Sequence, residues 1–156
     1  MKRQLALMLM VGALLLTACS ANDSGAGFRN PEYGYSVQIP LGWREDRKAS
    51  GTPAYPEGVR FVDQAGAMIL VEISPDPLTG DMEGDIQAGW TEEQVSAGGI
   101  KARMFTRPAG AQGEWISNAY LVDGSRHVLL SLRLPSGSPR ESYLATFRSF
   151  VASYRH

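Results

Sequence analysis

The stretch WISNAYLVDGSRHVLLSLRL, Trp115 to Leu134, decides the fold. Both of its halves are rich in branched, aromatic and leucine side chains. Between them Asp123-Gly124-Ser125 supplies turn chemistry, since glycine reaches the positive φ of a tight hairpin without a steric penalty. In the second half Val128, Leu130, Leu132 and Leu134 recur at period two and share one face of a strand. His127, Leu129, Ser131 and Arg133 fall on the other face, which is half polar. Upstream, Pro108-Ala109-Gly110 separates this hairpin from another β-rich run, Ile100 to Thr106, so three strands are expected in a meander.

Working outward, Val59 to Asp63 and Met68 to Ile73 are two further β-rich runs around Gln64-Ala65-Gly66, with Ile69, Val71 and Ile73 on one core face. Phe28 and Tyr35 to Ile39, across Asn30-Pro31-Glu32, predict a first hairpin that ends at Pro40-Leu41-Gly42-Trp43. After Pro75 and Pro77 the segment Asp81 to Ala97 has helical character, with Ile86, Trp90 and Gln94 four residues apart, although Gly84 and Gly89 weaken it. The last segment predicts a helix with Ser138 as its cap, Pro139 at the first helical position and Glu141 completing a capping box. Its apolar stripe is Leu144, Phe147, Val151 and Tyr154. The fold class expected is α+β, an antiparallel β-sheet flanked by helices.

The chain opens with Lys2 and Arg3, runs uncharged from Leu5 to Leu16, and reaches the small residues Thr17-Ala18 before Cys19. That is the layout of an export signal. The apolar run falls short of the roughly 20 residues that a spanning helix needs. Leu16-Thr17-Ala18-Cys19 resembles the lipobox of bacterial lipoproteins, which implies cleavage before Cys19, diacylglycerol on its thiol and further acylation of the palmitate kind. The alternative is an incidental thiol in an ordinary signal cut near Ala21, but Cys19 is the only cysteine and has no internal disulfide partner, and exported proteins usually avoid a free thiol, a liability that lipidation removes. By resemblance to the lipoprotein sorting rule, Ser20 rather than aspartate after the cysteine points to the periplasmic face of the outer membrane. The division expected is a signal at 1–18, a lipidated flexible tether at 19–27, and one domain at 28–156. Removing Lys2 and Arg3 leaves thirteen Lys and Arg against sixteen Asp and Glu, a formal charge of −3. With no cluster of cations and aromatics, this excludes nucleic acid as an expected partner.

Tyr35-Ser36-Val37-Gln38-Ile39-Pro40, then Gly42-Trp43, the central hairpins and the ending Phe147-Arg148-Ser149-Phe150 together resemble the PsbP-like family. That family includes an extrinsic photosystem II subunit, a eukaryotic Ran-binding import factor and DcrB-like bacterial lipoproteins. The resemblance implies an α/β/α sandwich and a binding role without catalysis, though no single partner. A lipid on Cys19 would exclude the Ran-binding role by compartment.

Candidate chemistry is sparse. His127 and His156 have no zinc-ligand spacing. A hydrolytic set would need His127 with Asp123 and Ser125 or Ser131, but no Gly-x-Ser-x-Gly elbow exposes a nucleophile, so no enzyme activity and no cofactor are expected. Asp81, Glu83 and Asp85 place carboxylates at alternate positions, as a calcium site would use, although acidic residues in a first helical turn are also explained by the helix dipole. Trp43 and Trp115 are expected in the core, whereas Trp90 and Tyr55, the latter in the loop from Ala49 to Gly58, are candidate anchors for a partner. The function expected is a membrane-anchored lipoprotein presenting a small non-enzymatic binding or accessory domain to a protein or envelope component. The alternative is a small-ligand or calcium binder using Asp81, Glu83 and Asp85.

Overall fold

The computed structural model describes residues 24–46, 58–108 and 113–156. Cys19, the leader before it and Tyr55 lie outside the described residues. The described residues open with a hairpin of β1 (Ser24–Asn30) and β2 (Tyr35–Pro40). Asn30 closes its turn, the side-chain oxygen accepting the backbone N–H of Glu32 at 3.0 Å and of Tyr33 at 3.1 Å. Next come β3 (Arg44–Glu45), β4 (Val59–Val62), β5 (Met68–Ser74), α1 (Thr79–Gln87), β6 (Thr91–Ala97), β7 (Ile100–Thr106), β8 (Trp115–Asp123), β9 (Arg126–Leu134) and α2 (Arg140–Ser153). β3 to β9 form one antiparallel sheet in the order β3-β4-β5-β9-β8-β7-β6. The meander is therefore stitched to the first half by β5 against β9.

Register explains how the sheet acquires two different faces. Ile69, Val71 and Ile73 lie opposite Leu132, Leu130 and Val128, and Ala119 and Leu121 continue the same face beyond β9. All of these are buried, as the alternation predicts. α2 covers this face with Leu144, Phe147, Phe150 and Val151, Tyr154 adds to it just past the helix end, and the β1–β2 hairpin adds Tyr35 and Val37. Rings lock the layers: Phe61 meets Phe150 edge-on at 5.8 Å between centroids, and Tyr35 stacks on Tyr154 at 5.8 Å. Each fully buried side chain of this size contributes about 1.5–3 kcal/mol relative to exposure. The opposite face carries a small cluster of Phe105, Tyr120 and Leu129, on which Leu78, Met82 and Trp90 pack. Helices on both faces of an antiparallel sheet make the expected α+β sandwich.

Three expectations need correction. The helix read from Asp81 to Ala97 stops at Gln87, because Gly89 takes φ 73° and turns the chain. Its N–H reaches the Ile86 carbonyl at 3.0 Å while that of Trp90 reaches Asp85 at 3.2 Å. The chain then enters β6, with Val95 and Ala97 inward, joined to β7 through Gly98 and Gly99 at φ 60° and 94°. Consecutive positive φ values are what a type I′ hairpin turn demands. Second, Ser138 does not cap α2: it belongs to the turn closing on Pro135, and extended Pro139 takes the cap position with no side-chain hydrogen bond. Third, residues 24–27 of the expected tether are already strand. Gly25 allows this, since a Cβ there would stand 2.2 Å from the Ile39 carbonyl oxygen.

Candidate functional site

A groove of about 250 Å³ opens where the head of α2 meets the ends of β6, β7 and β8. Trp115 and Leu144 form its apolar floor, and both are buried. Arg107, Arg140 and Arg148 line it with Thr91, Thr106, Glu93 and Glu141, so three cations face two carboxylates. Different parts of the chain deliver these groups. Arg140, Leu144 and Arg148 stand four residues apart, one stripe of α2. Arg107 comes directly after β7, and its backbone N–H bonds the Ile116 carbonyl at 3.0 Å, carrying the β7–β8 pairing one step further to Trp115.

The three arginines are held differently. Arg107 donates through Nη1 to the Glu114 carbonyl at 2.6 Å. Arg148 places Nε and Nη2 on one oxygen of Glu93, at 3.0 and 2.9 Å. Arg140 lies over the Trp115 ring at 5.9 Å from its centroid and makes no hydrogen bond among the described residues. The Arg148–Glu93 pair is exposed, so it contributes little stability, about 0–1 kcal/mol, and serves mainly to place the guanidinium.

The acidic candidates do not converge. Asp85 turns inward from α1, where its Oδ2 accepts the Tyr120 hydroxyl at 2.8 Å and the Asn118 amide at 2.9 Å, and Ser131 donates to Asn118 at 2.7 Å. Burial and the Asp85 carboxylate push the Tyr120 phenol well above its usual range, keeping it a donor. Asp81 and Glu83 are exposed, and Glu83 projects away from the face that Asp85 uses. Among the described residues no three His, Cys, Asp or Glu side chains cluster to hold a metal ion.

Nor does the sheet assemble a triad. Asp123 points to the α2 face, where its Oδ2 accepts Tyr154 at 2.8 Å and pairs with His156 Nδ1 at 2.7 Å. Adjacent positions on paired strands put His127 on the opposite face, and Ser131 is engaged with Asn118. Trp90 sits in the short connection before β6, half-buried against Phe105, Tyr120 and Leu129 rather than on a helix.

Sequence reasoning missed the groove. The stripe Arg140, Leu144, Arg148 was readable in the helical period, but Arg107 and Trp115 join it only through strand register. Trp115 is indeed buried, as expected for a core residue, yet it also forms the floor beneath Arg140.

No protein-family profile matches this chain, and no curated protein sequence does. Solved structures do resemble it. Cyanobacterial PsbP (CyanoP) from Synechocystis sp. PCC 6803 superposes with a TM-score of 0.58 at 15% identity, covering 90% of this chain and 98% of that one. A protein from Bacteroides thetaiotaomicron gives 0.55 at 13% identity and 85% of this chain, which spans 48% of that longer protein. A variant of the protein Mog1 gives 0.51 at 12% identity, covering 85% and 95%. Identities this low speak to architecture alone, and the architecture they share with this chain is the PsbP-like α+β fold.

Proposed function

We propose that this chain is a membrane-anchored lipoprotein whose folded part is a non-enzymatic binding domain on the extracytoplasmic side, at the periplasmic face of the outer membrane in a Gram-negative cell. The observation that carries the binding role is the groove at the head of α2, an open recess with an apolar floor and charged walls on regular elements. Of the hydrolytic set, Asp123 and Ser131 are committed to internal hydrogen bonds, and His127 lies on the opposite face of the sheet from Asp123. The anchor is supported by Lys2 and Arg3, the uncharged run and Leu16-Thr17-Ala18-Cys19. Two or more acyl chains hold a protein at a bilayer stably, which one chain does not. The partner is a protein or envelope component reached from that surface.

Two measurements test the two halves of this reading. Cys19→Ser should move the protein from the membrane fraction to the soluble one and abolish acylation; equal membrane retention of the variant would contradict the anchor. A photo-crosslinker at Thr91, on the groove rim, should give one reproducible adduct in intact cells that Arg148→Glu removes. An adduct indifferent to Arg148, or none, would contradict binding through the groove.

A further inference from the structure

We infer that the groove receives an oxyanion on its partner, a carboxylate or phosphate group on a short apolar body, with Arg140 as the residue that receives the charge. The inference deepens the binding role proposed above and rests on it.

Arg140 is the central observation. Its guanidinium lies over the Trp115 ring at 5.9 Å from the centroid, a cation–π contact that uses no N–H donor. All five donors therefore remain for an acceptor, and none has a partner among the described residues. A planar fork of this kind matches carboxylate and phosphate oxygens two at a time. Arg148 adds a second donor set: Glu93 occupies Nε and Nη2 and leaves Nη1 uncommitted.

The head of α2 adds to the same field. It has no side-chain cap, and the Ser142 hydroxyl donates to the Pro139 carbonyl at 2.9 Å rather than accepting from the first amides. The first-turn N–H groups of a 14-residue helix thus have no side-chain acceptor beside a groove of net positive lining. Trp115 and Leu144 would receive apolar atoms, while Thr91 and Thr106 add hydroxyls at the wall. At about 250 Å³ the space lies just below the range of roughly 300–1,000 Å³ typical of drug-sized ligands, which suits one end group of the partner. Glu141 is the one carboxylate in the lining with no cation bonded to it, and it opposes an incoming anion.

The test is a titration of isotopically labelled full-length protein in neutral detergent micelles, followed by amide NMR, with benzoate, phenyl phosphate and uncharged benzyl alcohol as probes. At least one anion should shift amides at 91–93, 106–107 and 140–142 saturably, and added salt should weaken it. Arg140→Gln should lower affinity about tenfold with an unchanged melting temperature. Glu141→Gln should raise affinity about twofold, which a purely structural role for this helix end would not produce. Shifts that benzyl alcohol reproduces, an Arg140→Gln variant that binds as well as wild type, or no shift with either anion would each overturn the inference. Such a failure leaves the Cys19→Ser fractionation and the Thr91 crosslink untouched, so it is distinguishable from failure of the binding role itself.

Discussion

The two faces of the sheet are covered by helices of unequal character. α2 and the β1–β2 hairpin close one face with a continuous apolar layer in which Phe147, Val151 and Tyr154 are completely buried. α1 closes the other with nine residues, and its one buried side chain is a carboxylate, Asp85. Apolar burial is non-directional and supplies most of the stability of the first face. The second face is fixed by direction: Asp85 accepts from Tyr120 and Asn118, so α1 has one orientation in which that buried oxygen is satisfied. The groove opens on the first face, beside α2, where the proposed recognition groups stand on well-packed elements.

The difference predicts a graded series of substitutions. Phe147→Ala, in the middle of the α2 layer, should cost about 3–5 kcal/mol in chemical denaturation. Gly98→Ala should cost on the order of 3 kcal/mol, because its φ is +60° and a Cβ would stand 1.8 Å from the Tyr154 carbonyl oxygen, forcing the β6–β7 turn off the end of α2. Tyr120→Phe, on the α1 face, should cost about 1–3 kcal/mol by leaving Asp85 short of a donor, and hydrogen exchange in 79–87 should rise before that in α2. A uniform rise in both helices would erase the distinction between the faces.

The smallest effect has the opposite sign. Glu72 is buried on the α1 face of β5, and burial raises its carboxyl pKa above the ordinary 4.5 despite the nearby Arg133. The folded chain then holds that proton more tightly than the unfolded chain. Its burial costs nothing below the ordinary value, and the cost grows as pH climbs through the raised one. Glu72→Gln should therefore stabilise by about 1 kcal/mol at about pH 7, and the gain should vanish below about pH 4 in parallel melts.

The same asymmetry governs what the sequence disclosed. Period-two alternation in Val128, Leu130, Leu132 and Leu134 was sufficient for β9 and its core face, because one side of that strand is entirely apolar. The C-terminal stripe of Leu144, Phe147, Val151 and Tyr154 was sufficient for α2 for the same reason. β6 was hidden because Thr91-Glu92-Glu93-Gln94 is a poor strand by composition and comes after a true helix start; the legible signal was Gly98-Gly99, a dipeptide that suits a two-residue hairpin turn. Asp85 gave no sign of being buried, since its partners Asn118 and Tyr120 are distant in the chain and meet it only through sheet order. The groove was unreadable on the same ground: Arg107 and Trp115 are neighbours of Arg140 only after β7 and β8 pair.

The proposed function, a tethered domain that recognises its partner on the α2 side, can be tested by hydrogen–deuterium exchange of the lipidated full chain, compared between native envelope membranes and purified micelles. Added protection in the envelope should fall at 91–93, 106–108 and 140–148. Protection confined to 78–90 around Trp90, or no difference between the two preparations, would contradict it.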